Sequence, residues 1–218
     1  VELGYSAGRM ICILDSWEND SICHAQKGII ALKLTAHGRG GHASHPWNFD
    51  NPIDQLLEAY SRLKAAWKNP VSTDSWHKSM AASVISAGTA VNQIPETAEM
   101  ILNIRYIEIQ EKDEILDLIK EKTGLQITVL ENCPPVFMPN TAHEFRILEN
   151  IMRSVLKKQG GYSRMNGATD ARWFVSLNKP IAVIGIESAG IHAQTEKANL
   201  CSIVQYAEIM KCLARFPE

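Results

Sequence analysis

The residues best placed to do chemistry lie in four short stretches. Asp15 ends the apolar run Met10–Leu14, and a polar group at the C-terminal end of a buried strand is where α/β folds place their chemistry. His42 sits in the bend Gly38-Arg39-Gly40-Gly41-His42-Ala43-Ser44-His45-Pro46-Trp47. Glycine there relaxes the backbone at an entropic cost, which suits a bend that must place something. Asn166-Gly167-Ala168-Thr169 runs into a helical stretch with Arg172 one turn in. Backbone N–H groups at such a start can hold a carboxylate, and an arginine can add a bidentate contact. His192 and Glu196 stand four apart in a late loop. Asp and His are zinc-type ligands, and Glu196 can accept from an imidazole N–H and orient it. Each stretch also has a plain structural reading: an Asx turn for Asp15, a strand-to-helix turn with a surface histidine, a capped helix with a solvated arginine, an exposed loop histidine.

The elements that must position these residues can be read from periodicity. Met10–Leu14 fits a buried strand. Ile30, Leu32, Leu34 and Ala36 alternate with Ala31, Lys33 and Thr35, as in a half-buried strand. Ile53, Leu56, Leu57, Tyr60, Leu63 and Trp67 make one face of a helix from about Pro52 to Lys68, stopped by Asn69-Pro70. A strand over Ala81–Thr89, a turn at Asn92–Pro95, and a clearly alternating strand over Ala98–Tyr106 follow, with Arg105 on the less apolar face. A helix over about Gln110–Lys122 stops at Gly124, and Leu125, Ile127 and Val129 mark one more strand. The order β-α-β-β-α-β over 29–131 is that of a ferredoxin-like domain.

After Cys133-Pro134-Pro135 the pattern changes. A helix over about Ala142–Lys158, a strand near Tyr162–Met165, a helix over Thr169–Ser176, an apolar strand Pro180–Gly185 and a helix over Leu200–Phe216 read as α/β material. It matches the opening strand rather than the middle, so we expect a discontinuous α/β domain (1–28 and 132–218) interrupted by an inserted one (29–131).

Composition narrows the function classes. The 218 residues carry a net charge of −2 and a pI near 6.4, which points away from nucleic acid and anionic membranes. No apolar run approaches the roughly 20 residues that span a bilayer. Five scattered cysteines without CxxC spacing fit reduced thiols in a cytoplasmic protein. No GxSxG elbow, Walker loop or GxGxxG is present. The chain opens on Val1-Glu2-Leu3-Gly4-Tyr5, which reads as a chain joined midway.

Taken in order, the motif stretches resemble the zinc exopeptidase and amidohydrolase family that includes acetylornithine deacetylase, succinyl-diaminopimelate desuccinylase, aminoacylase and glutamate carboxypeptidase. Gly38–Pro46 with Asn51 resembles its G-x-x-x-H-x-x-x-P…N-x-I segment. Asn92–Pro95 with Asn103-Ile104-Arg105 resembles its N-x-I-P…N-x-R segment. Gly167–Arg172 resembles its G-x-T/S-D-x-R turn, and His192 with Glu196 its terminal H-x-x-x-E. The resemblance implies an α/β catalytic domain with an inserted ferredoxin-like lid that dimerises. It implies two zinc ions per site, with cobalt or manganese as substitutes, acting on an N-acyl amino acid or small peptide with a free carboxylate. Asp15 and His192 would be metal ligands. His42, from the partner subunit's lid, would donate to the oxyanion. Asn92, Arg105 and the Gly167–Thr169 turn, with Arg172 in support, would bind substrate, and Glu196 would orient a ligand.

The family's H-x-D motif, bridging aspartate and paired glutamates lie upstream of the Asp15 strand and are not in this chain. The 218 residues alone are therefore expected to be inactive, to bind zinc weakly or not at all, and to expose apolar surface around Ile11–Leu14 and Ile181–Ile184. Gln26-Lys27-Gly28 stands where desuccinylase-like members carry arginines. The alternative from another class is a non-catalytic dimerisation or small-molecule-binding module.

Overall fold

The computed structural model describes residues 8–16, 20–72, 76–191 and 193–215. Along the chain run β1 (Ile11–Leu14), β2 (Ser21–Gln26), β3 (Gly28–His37), β4 (Gly41–His42), α1 (Pro52–Ala66), β5 (Ser79–Ala87), β6 (Gln93–Ile94), β7 (Thr97–Tyr106), α2 (Glu111–Thr123) and β8 (Gln126–Cys133). Then come β9 (Val136–Phe137), α3 (His143–Leu156), β10 (Gly161–Met165), β11 (Ile181–Ile184), β12 (Ser188–Ala189), β13 (Lys197–Ala198) and α4 (Leu200–Ala214). The chain forms two compact units, Val1–Lys27 with Val136–Glu218, and Gly28–Pro135.

The unit Gly28–Pro135 is built on an antiparallel sheet in the order β5-β7-β3-β8. The alternation of β7 has a direct cause. Ala98, Met100, Leu102, Ile104 and Tyr106 are buried against the helices, while the residues between them lie half-buried on the other face. α1 and α2 bring Leu56, Leu63, Ile115 and Ile119 to that core. A fully buried side chain of this kind contributes about 1.5–3 kcal/mol over the same residue exposed, so this one face carries the unit. Asn51 caps α1 through its side chain to the Ile53 amide, with Pro52 in the first turn. α1 ends at Ala66, two residues before the expected Lys68. Trp67 turns extended, and its Nε1–H donates to Asn69 Oδ1 at 2.8 Å. The Asn69 amide also bonds both backbone groups of Met80. A tertiary tie to the start of β5, not local propensity, sets that helix end. β5 is an edge strand, and Val84 and Ile85 are exposed on it.

Glu111 opens α2 and ties the preceding turn. Its Oε2 accepts from the Ile107 and Glu108 amides at 2.8 and 3.0 Å, and Oε1 lies 3.4 Å from Lys78 Nζ. Burial pushes the carboxyl up, but the amide donors and Lys78 outweigh it and hold it below its ordinary 4.5. The folded state therefore takes the proton less readily than the unfolded chain. The charge's contribution is full above the ordinary value and is lost as pH falls through the folded one. Glu111→Gln is expected to destabilise the chain by about 1 kcal/mol at neutral pH, and the gap should close in acid. Urea midpoints of both proteins across that range check this; a gap independent of pH would contradict it.

The other unit holds a sheet in the order β1-β11-β2-β10, with β9 on β2. β1 and β11 are parallel, as are β2 and β10, while β11 and β2 are antiparallel. β2 has no counterpart in the sequence reading. It is buried on both faces and therefore lacks alternation, and it carries the polar His24 and Gln26. One face packs Ile22, Ala182 and Ile184 against Phe145, Leu148, Tyr206 and Ile209 of α3 and α4. The other packs Cys23, Ile181 and Val183 against Met165 and Ala171. The expected apolar exposure at Ile181–Ile184 is not found. β11 lies between β1 and β2, and all four residues are buried. Exposure is confined to the edge strand β1, where Leu14 is 56% exposed. The expected helix over Thr169–Ser176 is a 3-10 helix, Asp170–Leu177. The end of the last helix at Phe216 lies outside the described residues. No disulfide joins the five cysteines. Among the described residues no helix is long and apolar enough to cross a membrane.

Candidate functional site

In the unit that contains β1, three loops meet around a cavity of about 760 Å3. Asp15, just past the end of β1, lines it with Ala168, Thr169 and Glu196. The ladder continues one step beyond β1, with the Ser16 amide donating to the Ile184 carbonyl at 3.2 Å, so Asp15 is fixed on both sides and exposed. His192 lies outside the described residues. Gly167 and Arg172 are not among the residues that line the cavity. Arg172 instead packs its guanidinium 5.1 Å from the Trp173 ring centroid. On the same strand, burial pushes the Cys12 thiol up to about 12, so it supplies no thiolate nucleophile at neutral pH.

The turn before the 3-10 helix does not present its Thr169 donors to a ligand. Gln26 Oε1 accepts from both the Thr169 amide (3.0 Å) and its hydroxyl (2.7 Å), and Gln26 Nε2 donates to the Thr169 carbonyl at 3.4 Å. Thr169 Oγ1 in turn accepts from the Ala171 amide at 3.2 Å. Gln26 is 1% exposed, and a buried amide must find partners. It clamps the turn, so the anion cradle expected at Gly167–Thr169 is, at Thr169, a structural knot. The role of Gln26 could not be read from sequence, because the strand that carries it shows no period.

In the unit Gly28–Pro135, two motif stretches about fifty residues apart are joined. β4 and β6 pair antiparallel, His42 opposite Gln93, and the Ala43 amide donates to the Asn92 carbonyl at 2.9 Å. His42 and Asn92 are both exposed there. The bend needs its first glycine. A Cβ on Gly38 would stand 1.9 Å from the Asp50 carbonyl oxygen, where Arg39 and Asp50 exchange backbone hydrogen bonds. Behind His42, the Ser44 amide donates to its Nδ1 at 3.2 Å. Arg105 is elsewhere. It lies on the half-buried face of β7 with Nε donating to Asn103 Oδ1 at 3.0 Å, opposite Ile29 and Ser79. β4 and β6 adjoin the Thr97 end of β7, where the Gly38 amide meets the Glu96 carbonyl. Arg105 is eight residues further along, about 25 Å at the rise of a strand. Within one such unit His42 and Asn92 come together, and Arg105 does not join them.

Residues 24–124 match the peptidase dimerisation domain. The succinyl-diaminopimelate desuccinylase of Psychrobacter arcticus is 27% identical over 203 residues, covering 87% of this chain and 49% of that protein. The resemblance is thus to the M20 peptidase family, with the dimerisation-domain match lying within residues 24–124 of the 218. It spans about half the length of the curated relatives it matches. Among solved structures, a tripeptidase of Staphylococcus aureus aligns with TM-score 0.77 at 16% identity over 97% of this chain and 58% of that one. An M20 family metallo-carboxypeptidase of Sulfolobus solfataricus aligns with TM-score 0.75 at 13% identity, over 95% and 63%. At these identities the structures speak for the fold, which is the M20 α/β fold.

Proposed function

We propose that this chain is the C-terminal part of a metal-dependent amidohydrolase that cleaves the amide bond of an N-acyl amino acid or small peptide with a free carboxylate. The observation that carries the reading is the cavity on which Asp15, Glu196 and the Ala168–Thr169 turn converge. Resemblance to the M20 family supplies the reaction class. In this reading Gly28–Pro135 is a ferredoxin-like lid inserted into a discontinuous catalytic domain, and it pairs with a second copy. The exposed edge of β5, with Val84 and Ile85, is the surface that such pairing would cover. The separation of His42 and Asn92 from Arg105 supports the same arrangement. Two residues at opposite ends of one strand do not both reach one small substrate, so in this reading His42 and Asn92 come from one protomer and Arg105 from its partner.

The metal the family implies is zinc, with cobalt or manganese as substitutes. Among the described residues no three His, Cys, Asp or Glu side chains gather as a metal site. Asp15 and Glu196 offer two carboxylates on one cavity, short of the three protein ligands that a catalytic zinc takes. This chain's described residues therefore do not by themselves fit the ion. The roles left to the chain are Asp15 as one ligand among others, His42 as the donor to the developing oxyanion, and Arg105 as the holder of the substrate carboxylate.

The test starts from the native polypeptide, captured from its source with an antibody to this chain and loaded with zinc or cobalt. It should hydrolyse N-succinyl or N-acetyl amino acids or dipeptides, and a chelator should abolish that turnover. No hydrolysis by the metal-loaded protein across that panel would reject the reading.

A further inference from the structure

Ser44 and His45 form a hydrogen-bonded chain behind His42 whose proton positions are fixed by one backbone group. An amide N–H can only donate. The Ser44 amide reaches His42 Nδ1 at 3.2 Å, so that nitrogen holds a lone pair, and the proton of the neutral ring is on Nε2. The Ser44 hydroxyl lies 2.8 Å from the same Nδ1 and 2.8 Å from His45 Nδ1. It has one proton to give. Given to His45, it would leave an oxygen lone pair facing the His42 lone pair across 2.8 Å. Given to His42, it leaves the oxygen free to accept from His45, which then holds its own proton on Nδ1. Only the second arrangement makes both short contacts attractive. The His45 ring also meets Trp47 edge to face, 5.6 Å between centroids.

We infer that Ser44 and His45 are positioning residues: the run His45 Nδ1–H to Ser44 Oγ–H to His42 Nδ1 locks His42 with its proton on Nε2 and holds His45 in the opposite tautomer. Hydrogen bonds in series polarise one another. A chain that ends on His42 Nδ1 makes its Nε2–H a stronger and better aimed donor than a lone surface imidazole. The catalytic consequence rests on the reading of His42 as the oxyanion donor; the tautomers do not.

The 218-residue chain, labelled with 15N at its seven histidines, is the sample. Long-range proton–nitrogen spectra above the imidazole titration range report which ring nitrogen is protonated. His42→Gln and His45→Gln assign the two signals. The expected result is His42 protonated on Nε2 and His45 on Nδ1, the form that free imidazole disfavours. Ser44→Ala should return His45 to the Nε2–H form, and Ser44→Thr should preserve the wild-type pattern. His45 found on Nε2–H in the unaltered chain, or unmoved by Ser44→Ala, overturns the inference. In the active native protein Ser44→Ala should lower kcat by about tenfold with KM unchanged and be rescued by Ser44→Thr. An unchanged kcat overturns the positioning role. A native protein without hydrolase activity defeats the proposed function while leaving the tautomer pattern intact.

Discussion

On the proposed reading, His42→Ala is expected to lower kcat of the native protein by about 100-fold or more, with the association of two copies unchanged. The magnitude is that of removing one preorganised donor from an oxyanion, roughly 100- to 1000-fold. The direction follows from where the ring sits. It is exposed on the short strand β4, and it is backed by a backbone amide on Nδ1. β4 pairs with β6 through main-chain groups, opposite Gln93, so the substitution leaves the loop in place. The edge strand β5 is a separate element, and the association of two copies should survive. Two measurements separate the readings. Sedimentation should show the same species for both proteins, and turnover should fall with little change in KM. Unchanged turnover would mean that the histidine is a surface residue of a turn and that the module is not catalytic at this end.

What the chain disclosed in advance depended on how each element meets solvent. β7 was legible because it has one buried face, and its alternation is the imprint of α1 and α2 packing on that face alone. β2 was not, because it is buried on both sides and its polar residues are satisfied from distant segments, His24 by the Met138 carbonyl and Gln26 by Thr169. The same tie hid the character of the Gly167–Thr169 turn. Sequence shows a glycine, a threonine and a following helix, but not that the threonine's donors are already taken. α1 ends two residues before the point its periodicity implies, because Asn69 acts through Met80, a partner in another element. At the site, residue types were legible and distances were not. His42 and Asn92 belong to separate motifs, yet the short β4–β6 ladder makes them neighbours. Arg105 and Asn92 belong to one motif, yet a strand's length parts them.

Gly185→Ala should be strongly disruptive in the unit that holds Asp15. Gly185 directly follows β11, where that strand lies beside the end of β1. A Cβ there would stand 1.6 Å from the Ser16 carbonyl oxygen and 2.4 Å from its carbon. Those are main-chain atoms, so no rotamer relieves the clash. The Ser16 amide already bonds the Ile184 carbonyl, which pins the two chain segments at this point. The strands must part, and the residue displaced is the neighbour of Asp15. Overpacking of this severity costs about 3 kcal/mol, at the upper end for an added methyl group. A shift of about 1 Å in a positioned group lowers turnover by about 100-fold. Gly161→Ala is the matched control, because a Cβ on Gly161 meets nothing within 4 Å. Its effect should stay within about 0.5 kcal/mol. Urea midpoints of the two variants give the comparison, and turnover of the native protein carrying each gives the functional half. If Gly185→Ala matched Gly161→Ala in both, the close approach of these two strand ends would not be what holds Asp15 at the cavity.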